Sequence, residues 1–200
     1  MEIRYGDGKI SFEKELTLLD KLAIDFSGSL QKEGIKHVFV SGYITILFGR
    51  SRVSEDIDLI VERLSKDKFL SLWERLDDYY CHNTTDPIEA YERYLEHQIA
   101  IRFSKDEHVI PNIEFKFAHT DQHKEVLNNI ITVELNRNLL PIAFIESQIA
   151  YKLYMGSQKD IEDAKYLYEI FEEKLDMDIL KEQLKKLNVP KSKYEYIPEG

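Results

Sequence analysis

Apolar positions along this chain repeat with two periods, and the changes between them mark out its elements. Phe12, Leu16, Leu19, Leu22, Phe26 and Leu30 recur every three or four residues, the stripe of a helix with one buried face. Ser11 is the predicted cap of this helix over residues 12–33, and Gly34 its stop. Two short strands are expected before it, around Gly6-Asp7-Gly8. Val38-Phe39-Val40 predicts a strand, residues 43–48 a compact apolar helix, and Asp56-Ile57-Asp58-Leu59-Ile60-Val61 a second strand. Ser65 caps an expected helix reaching Leu76, with Phe69, Leu72, Trp73 and Leu76 on its apolar face. Residues 79–82 read as a short strand. Asp86 and Pro87 read as the cap and first turn of a short helix.

Residues 98–103 and 109–117 predict a hairpin turning at Lys105-Asp106-Glu107. In its second arm Ile113, Phe115 and Phe117 face the core, and Glu114 and Lys116 face the other way. Residues 131–135 form one more apolar run. From Pro141 onward the period is helical: a helix over residues 142–155 stopped by Gly156-Ser157, a second opening at Lys159, and a third capped by Asp178 and ending at Leu187. The pattern predicts an α/β (α+β) fold: a mixed-sheet core over residues 1–140 and a C-terminal helical region over 141–190. Residues 191–200, poor in apolar side chains, are expected to be a flexible tail.

Composition narrows the function. With 43% hydrophobic and 32% charged residues, the chain is of the soluble globular class. No apolar run approaches the length of a membrane span and no secretory signal opens the sequence, so the expectation is a cytoplasmic protein without a membrane partner. The single cysteine, Cys81, excludes an internal disulfide, and its neighbour His82 lacks the further ligands of a zinc site. A net charge of −10 disfavours a long nucleic-acid footprint but not a local basic site.

The chemistry concentrates in residues 38–62. Side chains alternate along a strand, so Asp56 and Asp58 share a face about 7 Å apart. Two adjacent carboxylates repel unless a cation joins them. Oxygen ligands suit Mg²⁺, which commonly takes one or two carboxylates together with waters and phosphate oxygens. Ser41-Gly42 falls where strand gives way to helix, a place where backbone N–H groups can meet a phosphate. Arg50 and Arg52 add permanent positive charge just ahead of the acidic pair. A third carboxylate is expected from a neighbouring strand: Glu114 by alternation, with Glu134 in reserve.

This ordered set, Ser41-Gly42 followed by Arg52-Val53-Ser54-Glu55-Asp56-Ile57-Asp58, resembles the DNA-polymerase-β-like nucleotidyltransferase superfamily. It is most similar to the AbiEii-like nucleotidyltransferase toxins. Their turn usually reads Gly-Gly or Gly-Ser; here the serine comes first. The resemblance extends to Lys116, two residues beyond the third acid, and to Lys152 followed by Lys159-Asp160-Ile161-Glu162-Asp163. It implies Asp56, Asp58 and Glu114 as catalytic, metal-holding acids, and a nucleotide held by Ser41, Gly42, Arg50, Arg52, Ser54, Lys116, Lys152, Asp160 and Asp163. It further implies Mg²⁺, a nucleoside triphosphate, and, for a toxin, an RNA end or a protein as acceptor and an antitoxin as partner. The alternative is a catalytically inactive nucleotide- or partner-binding protein on the same fold.

Overall fold

The computed structural model describes residues 2–6, 8–105 and 109–197. The expected turns at Gly6-Asp7-Gly8 and Lys105-Asp106-Glu107 fall partly outside these residues. The chain divides into two compact units, Met1–Ile142 and Ala143–Gly200.

The first unit is built on a nine-stranded mixed sheet. Its strands in chain order are β1 (Arg4–Gly6), β2 (Lys9–Phe12), β3 (His37–Phe39), β4 (Asp56–Val61), β5 (Tyr79–Cys81), β6 (Ile101–Lys105), β7 (Asn112–Phe117), β8 (Ile130–Leu135) and β9 (Asn138–Ala143). Across the sheet they lie β1-β2-β8-β9-β3-β4-β7-β6-β5. The pairs β2·β8, β3·β9 and β4·β7 are parallel; β1·β2, β3·β4, β5·β6 and β6·β7 are antiparallel. The strand carrying Asp56 and Asp58 is therefore interior. Ile57, Leu59, Phe103, Ile113 and Phe115 are all at or near zero exposure and make the core on one face. Phe26, Phe69 and Phe103 each pack a ring against Phe115.

Two elements depart from the sequence expectation. Ser11 does not cap a helix, because residues 9–12 extend the sheet beside β8. Helix α1 (Leu18–Lys32) starts six residues later at Thr17. Thr17 and Asp20 form a reciprocal capping box there, which satisfies two otherwise orphaned donors. Residues 138–143 are a strand rather than a helix entry, and Pro141 sits within it. Asn136 and Arg137, at φ of 47° and 68°, make the two-residue turn into it, the backbone of a type I′ hairpin. Helices α2 (Gly42–Leu47), α3 (Lys66–Arg75), α4 (Pro87–Glu89) and α5 (Asp121–Asn128) complete this unit. Ser65 caps α3 and Asp86 caps α4, as the sequence predicts; α5, capped by Thr120, carried no strong apolar stripe.

The second unit holds α6 (Ile145–Met155), α7 (Gln158–Phe171) and α8 (Met177–Lys186). Gly156 ends α6 at φ 69°, and Ser157 caps α7. Asp176, not Asp178, caps α8, its carboxylate accepting from the N–H groups of Asp178 and Ile179. Residues 191–197 fold onto this unit rather than trailing from it. Lys193 Nζ donates to the Leu153 carbonyl at 3.1 Å, closing the end of α6, and Ile197 is buried. Among the described residues no helix is long and apolar enough to cross a membrane.

Candidate active site

The junction of β3, α2 and β4 gathers the motif. Val40, the last residue before the turn, donates its N–H to the Asp58 carbonyl at 3.1 Å, so the turn and the acidic strand are directly bonded. Ser41 adopts φ 64°, ψ −135°, a conformation that residues with a β-carbon rarely take. Gly42 follows, with the Arg52 guanidinium lying directly over it. A β-carbon added at Gly42 would stand 2.7 Å from Arg52 Nη2. The glycine is thus the one residue type that lets Arg52 approach.

Helix α2 is anchored from below. Tyr43, fully buried, donates to Asp20 Oδ1 at 3.1 Å, and Lys14 Nζ lies 3.0 Å from Asp20 Oδ2. Burial, and after it the Asp20 charge, drives the Tyr43 phenol well above its ordinary pKa, so it stays a donor. The capping box of α1 and the anchor of the Ser41-Gly42 turn therefore share one carboxylate.

Replacing Ser41 by Gly is expected to raise stability. Strain of about 1–3 kcal/mol is relieved, and the added freedom of glycine in the unfolded chain returns about 0.4–1 kcal/mol of it. A net gain of about 1 kcal/mol in urea unfolding is predicted; a loss would mean the turn is not strained as described.

Asp56 and Asp58 lie two residues apart on one face of β4. Ser54 Oγ donates to Asp56 Oδ1 at 3.2 Å. The parallel register sets Glu114 level with Asp58 and Asn112 level with Asp56. Lys116 Nζ stands 3.0 Å from Asp58 Oδ1 and 3.1 Å from Glu114 Oε1. Burial works against its ammonium, but Asp58 and then Glu114 outweigh that and hold its pKa above the ordinary lysine value. Arg102 on β6 reaches Glu114 Oε2 at 3.3 Å. Glu134 lies on β8, three places along the sheet from β4, where it pairs with Lys9. At about 4.8 Å per strand that is about 14 Å from the acidic pair.

Arg50 sits at the end of α2, its N–H donating to the Thr45 carbonyl at 3.0 Å. In the C-terminal unit Lys152, Asp160 and Asp163 meet one another. Lys152 Nζ is 2.8 Å from Asp160 and 2.9 Å from Asp163. Lys152 and Asp163 are buried. Burial raises the Asp160 carboxyl, but Lys152 and Ser157 outweigh it and leave its pKa below the ordinary range.

Among the described residues, no three His, Cys, Asp or Glu side chains already form a metal cage. The donor chemistry nonetheless fits Mg²⁺. Asp56 and Asp58 share a face, and the gap between Asp58 and Glu114 already holds a cation, the Lys116 ammonium. Waters and phosphate oxygens supply the remaining ligands in such sites. Asn112 and Arg102 were not singled out by the motif. Only the strand register reveals that they share this face.

Comparison with solved structures places the fold. The chain superposes on an antigenic nucleotidyltransferase-like protein from Paracoccidioides brasiliensis with a TM-score of 0.55 at 14% identity, covering 86% of this chain and 90% of that one. It superposes on ANT(2″)-Ia, solved in complex with adenylyl-2″-tobramycin, with a TM-score of 0.52 at 12% identity, covering 82% and 92%. No family model and no curated protein sequence matches the chain. The architecture is thus the mixed α/β fold of nucleotidyltransferase-like proteins.

Proposed function

We propose that this chain is a Mg²⁺-dependent nucleotidyltransferase that moves a nucleoside monophosphate from a nucleoside triphosphate to an acceptor hydroxyl. The observation that carries this reading is the hydrogen bond from Val40 to Asp58. It fixes a strained, glycine-containing turn beside two same-face carboxylates, which is the juxtaposition needed to hold a triphosphate and its metal.

In this reading Asp56 and Asp58 hold the metal, with Glu114 level with Asp58. Bound there, Mg²⁺ would neutralise the triphosphate and ease ionisation of the acceptor hydroxyl. The backbone N–H groups at Ser41 and Gly42 receive the phosphates. Arg52, held over Gly42, meets the charge that develops on the leaving group. The acceptor oxygen bonds to the α-phosphorus as the bond from phosphorus to the β-bridging oxygen breaks. Pyrophosphate leaves, and the hydroxyl proton passes to Glu114 and on to water. Arg50, Ser54 and Lys116 line or brace the same site. Lys152, with Asp160 and Asp163, is assigned to nucleotide phosphate by the motif resemblance alone. The same resemblance supports a narrower version: a toxin of the AbiEii-like kind, acting on an RNA end or a protein and restrained by an antitoxin.

One observation favours a binding-only protein: Lys116 bridges Asp58 and Glu114 and Arg102 also meets Glu114, so two cations already offset these two acids without metal. The two readings separate in one assay. Each of the four ribonucleoside triphosphates, labelled at the α-phosphate, is incubated with the protein, Mg²⁺, and cellular RNA, cellular protein or free nucleoside monophosphates as acceptor. Transfer of label with equimolar pyrophosphate is expected. Nucleotide binding without pyrophosphate from any combination would establish the binding-only protein instead.

A further inference from the structure

The register of the sheet extends the polar face well beyond the acidic pair. Asp58 on β4 is level with Glu114 on β7, and Glu114 with Arg102 on β6. His82, just past β5, donates its backbone N–H to the Arg102 carbonyl. One residue pair away, Asp56 is level with Asn112, and Tyr80 with Ser104. Two rows of polar side chains thus run from the aspartates across β7 and β6 to the sheet edge, about 14 Å at about 4.8 Å per strand. The far end is open, with the Arg102 side chain 53% exposed and Tyr80 43% exposed.

Asn112 stands out on this face. It is 6% exposed, and its Oδ1 has no hydrogen-bond partner among the described residues. Its Nδ2 faces the carbonyls of Glu55 and Val109, at 3.4 and 3.3 Å, which fixes which end of the amide is the acceptor. A buried acceptor without a donor is destabilising, and a donor on a ligand would satisfy it.

Beyond it, Tyr80 and His82 pack edge to face with centroids 5.2 Å apart, and His82 Nε2 is 2.8 Å from Ser104 Oγ. Burial, and then the Arg102 charge, lowers the His82 pKa, which favours the uncharged ring. Arg102 is the fixed positive charge at the outer end of the face. Its pairing with Glu114 is half-exposed, and such pairs contribute little, so Arg102 can turn to a ligand at little cost.

We propose that this face is the acceptor subsite, and that it takes a hydroxyl-bearing acceptor of nucleotide size with a planar ring and an anionic group. The proposal rests on the nucleotidyltransferase reading. Asn112 Oδ1 accepts from a donor group on the acceptor beside the reacting hydroxyl, close to Asp56. The anion lies on the Arg102 guanidinium, and the ring against Tyr80 and His82. The net charge of −10 argues against an extended nucleic-acid footprint around so local a positive site.

The test uses the full chain loaded with Mg²⁺ and a non-hydrolysable ATP analogue. Adenosine monophosphate, a tetraribonucleotide and tobramycin are then titrated separately. The expected result is binding of one or both anionic probes, tighter than that of tobramycin. Arg102→Ala should weaken the anionic probe about tenfold or more, as for a charged hydrogen bond lost, and Arg102→Lys should restore part of it. Asn112→Ala should weaken it as well, in a variant checked for folding by thermal unfolding. A tetranucleotide that binds far more tightly identifies a chain end, and equal binding a free nucleotide; both support the subsite. If the analogue binds but neither anionic probe does, or tobramycin binds best, the subsite is refuted while the nucleotide site stands. If neither this analogue nor those of the other three ribonucleoside triphosphates bind, both fall.

Discussion

Asp58→Asn is expected to abolish nucleotidyl transfer, with a loss of at least about a thousandfold, or about 4 kcal/mol of transition-state stabilisation. The variant should still fold. Asp58 pairs with Lys116 in a partly exposed setting, where such pairs contribute about 0–1 kcal/mol. Lys116 also keeps Glu114 at 3.1 Å. The strand itself is held by backbone bonds to β3 and β7 and by the buried Ile57 and Leu59, none of which changes. Activity and stability should therefore separate: turnover near background and an unfolding midpoint close to the parent. Unchanged turnover would remove Asp58 from the chemistry. A collapsed midpoint would mean the carboxylate is structural.

Lys152→Met should give the largest loss of stability. Lys152 is buried between Asp160 and Asp163, and Asp163 is at 0% exposure. Removing the lysine from a buried ion cluster leaves two carboxylates without their counter-charge in a poorly solvating interior. The expected cost is about 3–5 kcal/mol. Because the loss comes from stranded charge, it should be reversible. Adding Asp160→Asn and Asp163→Asn to Lys152→Met should recover most of it in urea unfolding. A Lys152→Met variant within about 1 kcal/mol of the parent would show that the cluster does not hold this unit together, and would leave phosphate contact as the lysine's remaining role.

Where local chemistry decides the structure, the sequence was a sufficient guide. Ser65 and Asp86 cap helices because their side chains bond to N–H groups two or three residues away, and Gly34 and Gly156 end them at positive φ. The alternation in Ile113-Glu114-Phe115-Lys116-Phe117 set the two faces of β7 for the same reason.

What escaped was decided by distant partners. Ser11 and Phe12 look like the lead-in to a helix until β8, more than a hundred residues away, supplies a parallel edge for them. Ser11 and Thr17 are both plausible caps; Asp20, three residues past Thr17, chooses between them by bonding back to it. Pro141 reads as a strand breaker, yet β9 pairs with β3 at Ile142 and keeps a proline beside it. Asp176 and Asp178 differ only in which carboxylate reaches the first-turn N–H groups.

The candidate site shows the same split. The acidic pair and its preceding turn are contiguous and carry their own signature. The level placement of Glu114 against Asp58, and of Asn112 and Arg102 on the same face, depends on strand register, which no local pattern encodes. The position of Arg52 over Gly42 is likewise a ten-residue return of the chain, visible only once folded.

The most direct test of the central claim is a calorimetric titration of each ribonucleoside triphosphate into the parent protein and Asp58→Asn, with and without Mg²⁺. The account predicts that at least one triphosphate binds the parent only when Mg²⁺ is present, and that Asp58→Asn loses this binding. No binding of any triphosphate to the parent, or binding indifferent to both Mg²⁺ and Asp58, would contradict it.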